Sequence, residues 1–364
     1  MTFSFGKEFK MHVFGESHGE LVGVTVEGCT PGLVIDTKQI QRNLDLRRPG
    51  ASDLSTTRSE SDTVMIRSGV FQGRATGAPI TMTIPNLDVD SSSYEQIRST
   101  PRPGHADYTS RVKYDGFNDY RGGGVFSGRM TAAFVMAGSL AKTMLQKKGI
   151  EVLAHTVQVG AARVSRVVTD QEIRTNVYSN AVRCAAEGLI DRFEESIEQA
   201  RKDGDSVGGV VECRVLGVPV GYGEPLFDSV ESVMSHAMFS IPGVKGIEFG
   251  SGFRGTELRG SENNDPIILR DKGIGWAKND AGGILGGITN GAPIVFRVAI
   301  KPTSSISREQ STVNLDLMEE TTLTVQGRHD PCIVPRAVPV IEGLAAVVMN
   351  DLVLRSHTKR SASD

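Results

Sequence analysis

Tryptophan occurs once, at Trp276, and aromatic residues make up only 6% of the chain, so no broad platform for stacking bases is present. An excess of either charge sign is missing too: the 364 residues carry a formal net charge of −3. A dedicated nucleic-acid or membrane-surface protein needs a strong positive field, and this balance argues against both. Four cysteines, Cys29, Cys184, Cys213 and Cys332, lie without any C-x-x-C spacing, which excludes the usual zinc-ribbon and thioredoxin-type motifs. The longest apolar stretches, Ala132–Ala141 and Gly343–Met349, fall short of the ~18–20 residues that cross a bilayer. No basic and apolar leader opens the chain, and free thiols suit a reducing compartment, so a cytoplasmic location is expected. Glycine is what the chain has in plenty: 41 residues, well above the average of about 7%. Many backbone positions must therefore be special.

Periodicity predicts mixed α and β structure. Leu21, Val22, Val24 and Val26 read as a strand, and Asp36 or Thr37 caps a helix running to about Leu46. Val64–Phe71 and Ala78–Ile84 read as paired strands joined through the Gly73–Gly77 turn. Residues 86–126 read as a long loop rich in polar groups, a pattern usual for functional segments. A helix from Ser127 to Lys147 is apolar on most faces and should be buried, whereas Glu187–Lys202 is amphipathic, with Gly204 just past its end. Strands are expected at Val207–Val220, Lys245–Phe249 and Pro293–Ile300, with a helix near Ser229–Phe239. A last buried helix is expected from about Val338 to Arg355, followed by a frayed polar tail from about residue 357. No linker divides the chain, so residues 1–364 read as a single domain. Arg121–Gly124 and Gly327–Asp330 each open onto a buried helix, an echo that either points backbone N–H groups at an anion or reflects how helices commonly begin.

Five segments concentrate polar groups among glycines. In Gly15-Glu-Ser-His-Gly19 the flanking glycines present Ser17 and His18 to a cavity, but a β-like run follows, so this is no hydrolase elbow. Arg102-Pro-Gly-His105-Ala-Asp107 holds a histidine in a polar loop, either as a proton carrier or as a solvent-facing side chain. Gly123–Arg129 nearly reads as a P-loop, yet Arg129 and Met130 stand where lysine and a magnesium-binding hydroxyl would be needed. Gly282–Gly287 permits close approach of a flat ligand or a tight turn, and Lys301-Pro-Thr-Ser-Ser305 adds an ammonium and three hydroxyls suited to phosphate. Gly327-Arg-His-Asp-Pro-Cys332, closed by Arg336, sets an acid and a base between guanidinium groups. Together with Arg42, Arg47, Arg48 and Arg58, such clustering in a slightly acidic chain implies focused sites for a multiply charged small anion.

In this order and spacing the segments resemble the chorismate synthase family over nearly the whole chain. They include Phe14–Gly19, Arg47-Arg-Pro-Gly50, Arg102–Asp107, the Gly122–Arg129 loop, Val244–Gly250, Gly282–Gly287, Lys301–Ser305 and Gly327–Cys332. The resemblance implies an α+β fold, a β-α-β sandwich with central helices between outer antiparallel sheets. It implies a lyase of aromatic amino-acid biosynthesis that releases phosphate from 5-enolpyruvylshikimate 3-phosphate to give chorismate, the last shikimate-pathway step. Reduced FMN is the implied cofactor, with NADPH as its indirect or direct reductant, a homotetramer as the assembly and a separate flavin reductase as a partner. Neither nucleic acid, membrane nor metal is expected.

Carried over by position, His18 is the implied acid toward the departing phosphate, with Ser17 in its relay. His105 is implied to protonate or stabilise the reduced flavin, and Asp330 to act as the base. Arg47, Arg48 and Arg336 are implied to hold the substrate, with Arg47 also toward NADPH. Gly124, Val125, Phe126, Ser127, Gly286, Lys301, Pro302, Thr303, Ser304, Ser305 and Arg328 are implied to bind FMN. Two positions depart from the family pattern: Val125 and Asp53 stand where arginine is usual. A phosphotransferase and a non-catalytic flavin- or anion-binding module are the alternatives from other classes; three titratable groups are more than simple binding requires.

Overall fold

The computed structural model describes residues 3–48, 62–87, 94–270, 273–325, 327 and 329–360, with side chains to residue 356. Arg328 and Asp53 lie outside the described residues.

Two five-stranded antiparallel sheets form the outer layers. The first comprises β1 (Ser4–Phe5), β2 (Lys10–Gly15), β3 (Leu21–Glu27), β4 (Met65–Ile66) and β7 (Ile80–Pro85), in the order β1-β2-β3-β7-β4. Between its last two strands in sequence, β5 (Val70–Phe71) and β6 (Arg74–Ala75) form a small hairpin, so the expected Val64–Phe71 strand is broken in two. The second sheet comprises β8 (Glu151–Val159), β9 (Ala162–Arg163), β10 (Gly209–Leu216), β11 (Val244–Phe249) and β16 (Ile294–Ile300), ordered β11-β16-β10-β8-β9. In β16 the sequence alternates strictly: Ile294, Phe296, Val298 and Ile300 are buried, while Val295, Arg297 and Ala299 are only partly so. That period of two fixes which face meets the core.

Helices fill the middle. Asp36 caps α1 (Thr37–Arg47) by accepting hydrogen bonds from Lys38 N (2.9 Å) and Gln39 N (3.1 Å). The central pair is α4 (Thr131–Gln146) and α9 (Val334–Arg360). Helix α4 lies against β3 of the first sheet, α9 lies against β8 and β10 of the second, and the two pack on each other. At their crossing a Cβ on Gly138 would come within 2.3 Å of Gly343 Cα, so only glycine allows this approach. One apolar cluster runs from Phe9 to Val353 and joins both sheets to both helices. The α+β sandwich with central helices is thus present.

The remaining elements are peripheral. They are α2 (Glu95–Ser99), α3 (Asp107–Lys113), α5 (Asp170–Asn176), α6 (Ile190–Lys202), α7 (Val230–Met238) and α8 (Gly260–Asn263). Three more hairpins complete the set: β12 (Ile267–Arg270) with β13 (Gly273–Trp276), β14 (Ile284–Leu285) with β15 (Ile288–Thr289), and β17 (Gln310–Asn314) with β18 (Glu319–Leu323).

Three expectations need correction. Residues 86–126 contain α2, which rests on a small satellite cluster of Ile97, Leu323 and Val325 rather than on the main core, then α3, and then a kinked glycine turn in which Gly122, Gly123 and Gly124 all hold positive φ. Helix α9 begins at Val334, four residues earlier than read, because Pro335 tolerates a first helical turn and Pro339 is carried inside the helix. It also runs to Arg360, through the start of the expected frayed tail. Within it Val334–Ser356 is apolar and long enough to cross a membrane, but its most apolar 18-residue window is 94% buried among the other layers. It is a core helix.

Candidate active site

The N-terminal ends of α4 and α9 meet the loops before them at a cavity of about 780 Å³. His18, His105 and Asp330 all line it, as do Arg47, Arg102, Arg129, Arg336, Lys245 and Lys301. Helix N-termini carry partial positive charge, so both backbone and side chains favour an anion there.

His18 follows β2 on a tight turn and packs edge-on against Tyr94, with ring centroids 5.0 Å apart. Its place depends on Gly122, at φ +59°, where a Cβ would come within 2.2 Å of His18 Cδ2 and 2.8 Å of Ser17 Oγ. Ser17 is only 1% exposed and does not itself line the cavity; its N–H donates to the carbonyl oxygen of Gly124 at 3.3 Å. His105 precedes α3, and its Nδ1 lies 2.5 Å from Asp107 Oδ1. Burial would raise the Asp107 carboxyl, but hydrogen bonds from Arg102 and His105 hold it well below the usual carboxylate range. Arg102 Nη1 in turn donates to Ser305 Oγ at 3.0 Å, tying this loop to the 301–305 segment.

Arg47, at the end of α1, is 2% exposed and donates from Nη2 to Asp62 Oδ2 at 2.8 Å. Arg129 Nη1 donates to the other oxygen of the same carboxylate. Burial, with repulsion from Arg336 and Arg129, pulls the Arg47 guanidinium down to about 10 against the attraction of Asp62. Its Nε is buried without a hydrogen-bond partner among the described residues. Asp330 accepts from Arg336 Nη1, and Arg336 Nε donates to the carbonyl oxygen of Arg47 at 3.1 Å. Lys301 Nζ donates to Gly104 O (2.5 Å) and Ser304 Oγ (3.0 Å), and burial together with Lys245 lowers its ammonium below the ordinary value.

A profile of the family described as chorismate synthase matches residues 9–354. The chain belongs to the chorismate synthase family. Among curated members, a Korarchaeum cryptofilum chorismate synthase is 53% identical over 97% of both chains. A Dehalococcoides mccartyi chorismate synthase is 49% identical over 98% of both. One from Thermococcus kodakarensis is also 49% identical, over 96% of this chain and 97% of that one. The fold is similar to that in a crystal structure of chorismate synthase, with a TM-score of 0.76 at 28% identity over 96% of this chain and 93% of the other. The family is one of lyases, and the chain is an enzyme of that kind.

The residues carried over from the family do not all reach the cavity. Val125, Phe126, Ser127 and Lys301–Ser305 line it, and Gly124 stands immediately behind. Arg48 is not among the lining residues: it is half-buried, 3.8 Å from Asp45. Gly286 turns the β14–β15 hairpin away from the cavity, because Val230 N donates to Gly287 O (3.0 Å) and Thr289 N to Tyr222 O (2.8 Å), pinning that hairpin to another loop. Sequence reasoning assigned no role to Tyr94, Asp62, Arg102, Arg129 or Lys245. Arg102, Arg129 and Lys245 lay inside the quoted motifs, whereas nothing around Tyr94 or Asp62 marks them.

Proposed function

We propose that this cavity carries out the anti-1,4-elimination of phosphate from 5-enolpyruvylshikimate 3-phosphate to give chorismate, with reduced FMN as cofactor. The observation that carries the reading is the convergence of His18, His105 and Asp330 on one cavity rimmed by four arginines and two lysines. A substrate with one phosphate and two carboxylates requires such a cationic surround.

The cavity also suits a flat, phosphorylated cofactor. Phe126, Ile241, Val244 and Ile333 supply apolar wall, Lys301, Thr303, Ser304 and Ser305 supply phosphate donors, and Val125–Ser127 supply backbone. The buried Nε of Arg47 has no hydrogen-bond partner among the described residues and is a donor suited to an anionic group. Reduced flavin contributes electron density that helps phosphate leave. His18 gives a proton to the departing phosphate oxygen, with Ser17 behind it. His105 stabilises negative charge on the reduced ring, and Asp330 accepts a proton during removal of the C6 hydrogen. Arg47 and Arg336 hold the substrate anions, whereas Arg48 is not among the residues that line this cavity.

The same reading makes the chain one functional unit, assembled as a cytoplasmic homotetramer. NADPH then acts indirectly, through a separate flavin reductase, since the G-x-G-x-x-G string at Gly250–Gly255 follows an antiparallel strand, β11, and opens a short 3-10 turn instead of the α-helix of a parallel dinucleotide-binding unit. Anaerobic phosphate release from the substrate tests the function. Release with reduced FMN and none with oxidised FMN supports it; equal release without reduced flavin, or phosphoryl transfer to an acceptor, overturns it.

A further inference from the structure

We propose that Asp107 is a positioning residue that keeps the proton of His105 on Nδ1, leaving Nε2 as the nitrogen that serves the cavity. The proposal deepens the functional reading above and rests on it only for the consequence to turnover.

Asp107 opens α3, two residues after His105, and its carboxylate is shared unequally. Oδ2 accepts from Arg102 N (3.0 Å) and Arg102 Nε (2.8 Å). Oδ1 accepts from Arg102 Nη2 (2.8 Å) and lies 2.5 Å from His105 Nδ1. A carboxylate that receives three hydrogen bonds from one arginine stays ionised, so the proton between Asp107 and His105 belongs to the ring. Arg102 Nη2 lies 3.0 Å from Nδ1 and 3.3 Å from Nε2. Nη2 already donates to Asp107 Oδ1, and at Nδ1 the carboxylate oxygen, at 2.5 Å, is the nearer partner. The Nδ1–H bond to Asp107 is therefore what sets the tautomer.

The opposite edge of the ring is left for the cavity. A Cβ on Gly123 would come within 3.1 Å of Cε1 and 3.3 Å of Nε2, so the glycine loop passes close without covering that edge with a side chain. The other charged group facing this loop is Lys301, whose Nζ is held by Gly104 O and Ser304 Oγ.

The unequal sharing predicts what Asp107→Asn does. Two Arg102 donors meet at the Oδ2 position, so the amide oxygen of asparagine settles there. Its NH₂ then points at His105 Nδ1, and a donor facing Nδ1 forces the Nε2–H tautomer on the neutral ring.

Histidine-selective nitrogen-15 NMR of the full chain, without substrate or flavin, tests this. The His105 signals among the seven histidines are assigned by their loss in His105→Gln. At alkaline pH, wild-type His105 is expected to show Nδ1–H, and Asp107→Asn to show Nε2–H with the other histidine signals unmoved. An Nε2–H ring in the wild type overturns the proposal, and this measurement stands even if the variant fails to fold. An unchanged tautomer in a folded Asp107→Asn also overturns it. In turnover, Asp107→Asn should lower kcat by about 10²–10⁴-fold with KM nearly unchanged. Were wild type to form no chorismate while the tautomer switched as expected, the functional reading would fall and the positioning role would remain.

Discussion

Asp330 and Arg336 are joined by a direct ion pair, and the same guanidinium donates through Nε to the carbonyl oxygen of Arg47, linking the loop before α9 to the end of α1. Asp330 is therefore held by the wall of the cavity. It is not a helix cap, since α9 begins four residues later at Val334. Asp330→Asn keeps an acceptor for Arg336 but is a far poorer base. It should melt near the wild-type temperature and retain FMN binding, yet lose turnover by about 10²–10⁴-fold. Near-normal phosphate release by this variant would leave the carboxylate without a chemical role.

Gly122 controls His18 by contact. Alanine there must both adopt φ +59° and displace a ring whose Cδ2 would lie 2.2 Å away. Gly122→Ala is expected to lose as much turnover as His18→Ala, about 10²–10⁴-fold, while destabilising the protein by only ~1–3 kcal/mol. Single-turnover kinetics beside a thermal melt check this. A variant that is fully active would show that His18 need not occupy the observed position.

Much of this was legible in the chain because local rules and global packing agree. The alternation in β16, the Asp36 cap and the apolar run of α4 all mark their own elements. The segment at residues 86–126 was harder, because α2 and α3 rest on three buried residues and on contacts with a hairpin more than 200 positions away, such as Arg111 Nη2 to Asp316 at 2.9 Å. Asp62 was invisible for the same reason. Its significance lies in meeting Arg47 and Arg129, which come from two different helical elements. Arg48 shows the converse: adjacent to Arg47 in sequence, it faces Asp45 at 3.8 Å and is not among the residues that line the cavity.

Reduction of the cofactor yields a prediction about partners. Charged groups of the cavity are paired with one another, Arg47 and Arg129 with Asp62 and Arg336 with Asp330, and Val125 brings no charge to its wall. Purified protein mixed anaerobically with FMN and NADPH should therefore leave the flavin oxidised until a flavin reductase is added. Rapid bleaching of the flavin absorbance by NADPH alone would show that the chain binds and uses the dinucleotide itself.

The last prediction concerns acid. Burial alone would raise the Asp62 carboxyl, but Arg47 and Arg129 hold it below the ordinary value. The unfolded chain, with an aspartate near ~3.9, thus takes up a proton before the folded one does. Stability from this group is complete above about pH 4 and is lost as pH falls through the lower folded value. Glu212, held down to about 2 by His155, Arg214 and Arg297 despite its burial, acts in the same direction. Comparison of Asp62→Asn with wild type isolates one carboxylate. At neutral pH the variant should be less stable by about 3–5 kcal/mol, because two buried guanidiniums lose their shared counter-charge. Between about pH 4 and 2 its melting temperature should then fall less steeply than that of wild type. Parallel slopes would mean that Asp62 is not ionised between its two arginines, and the cationic wall of the cavity would need another source of balance.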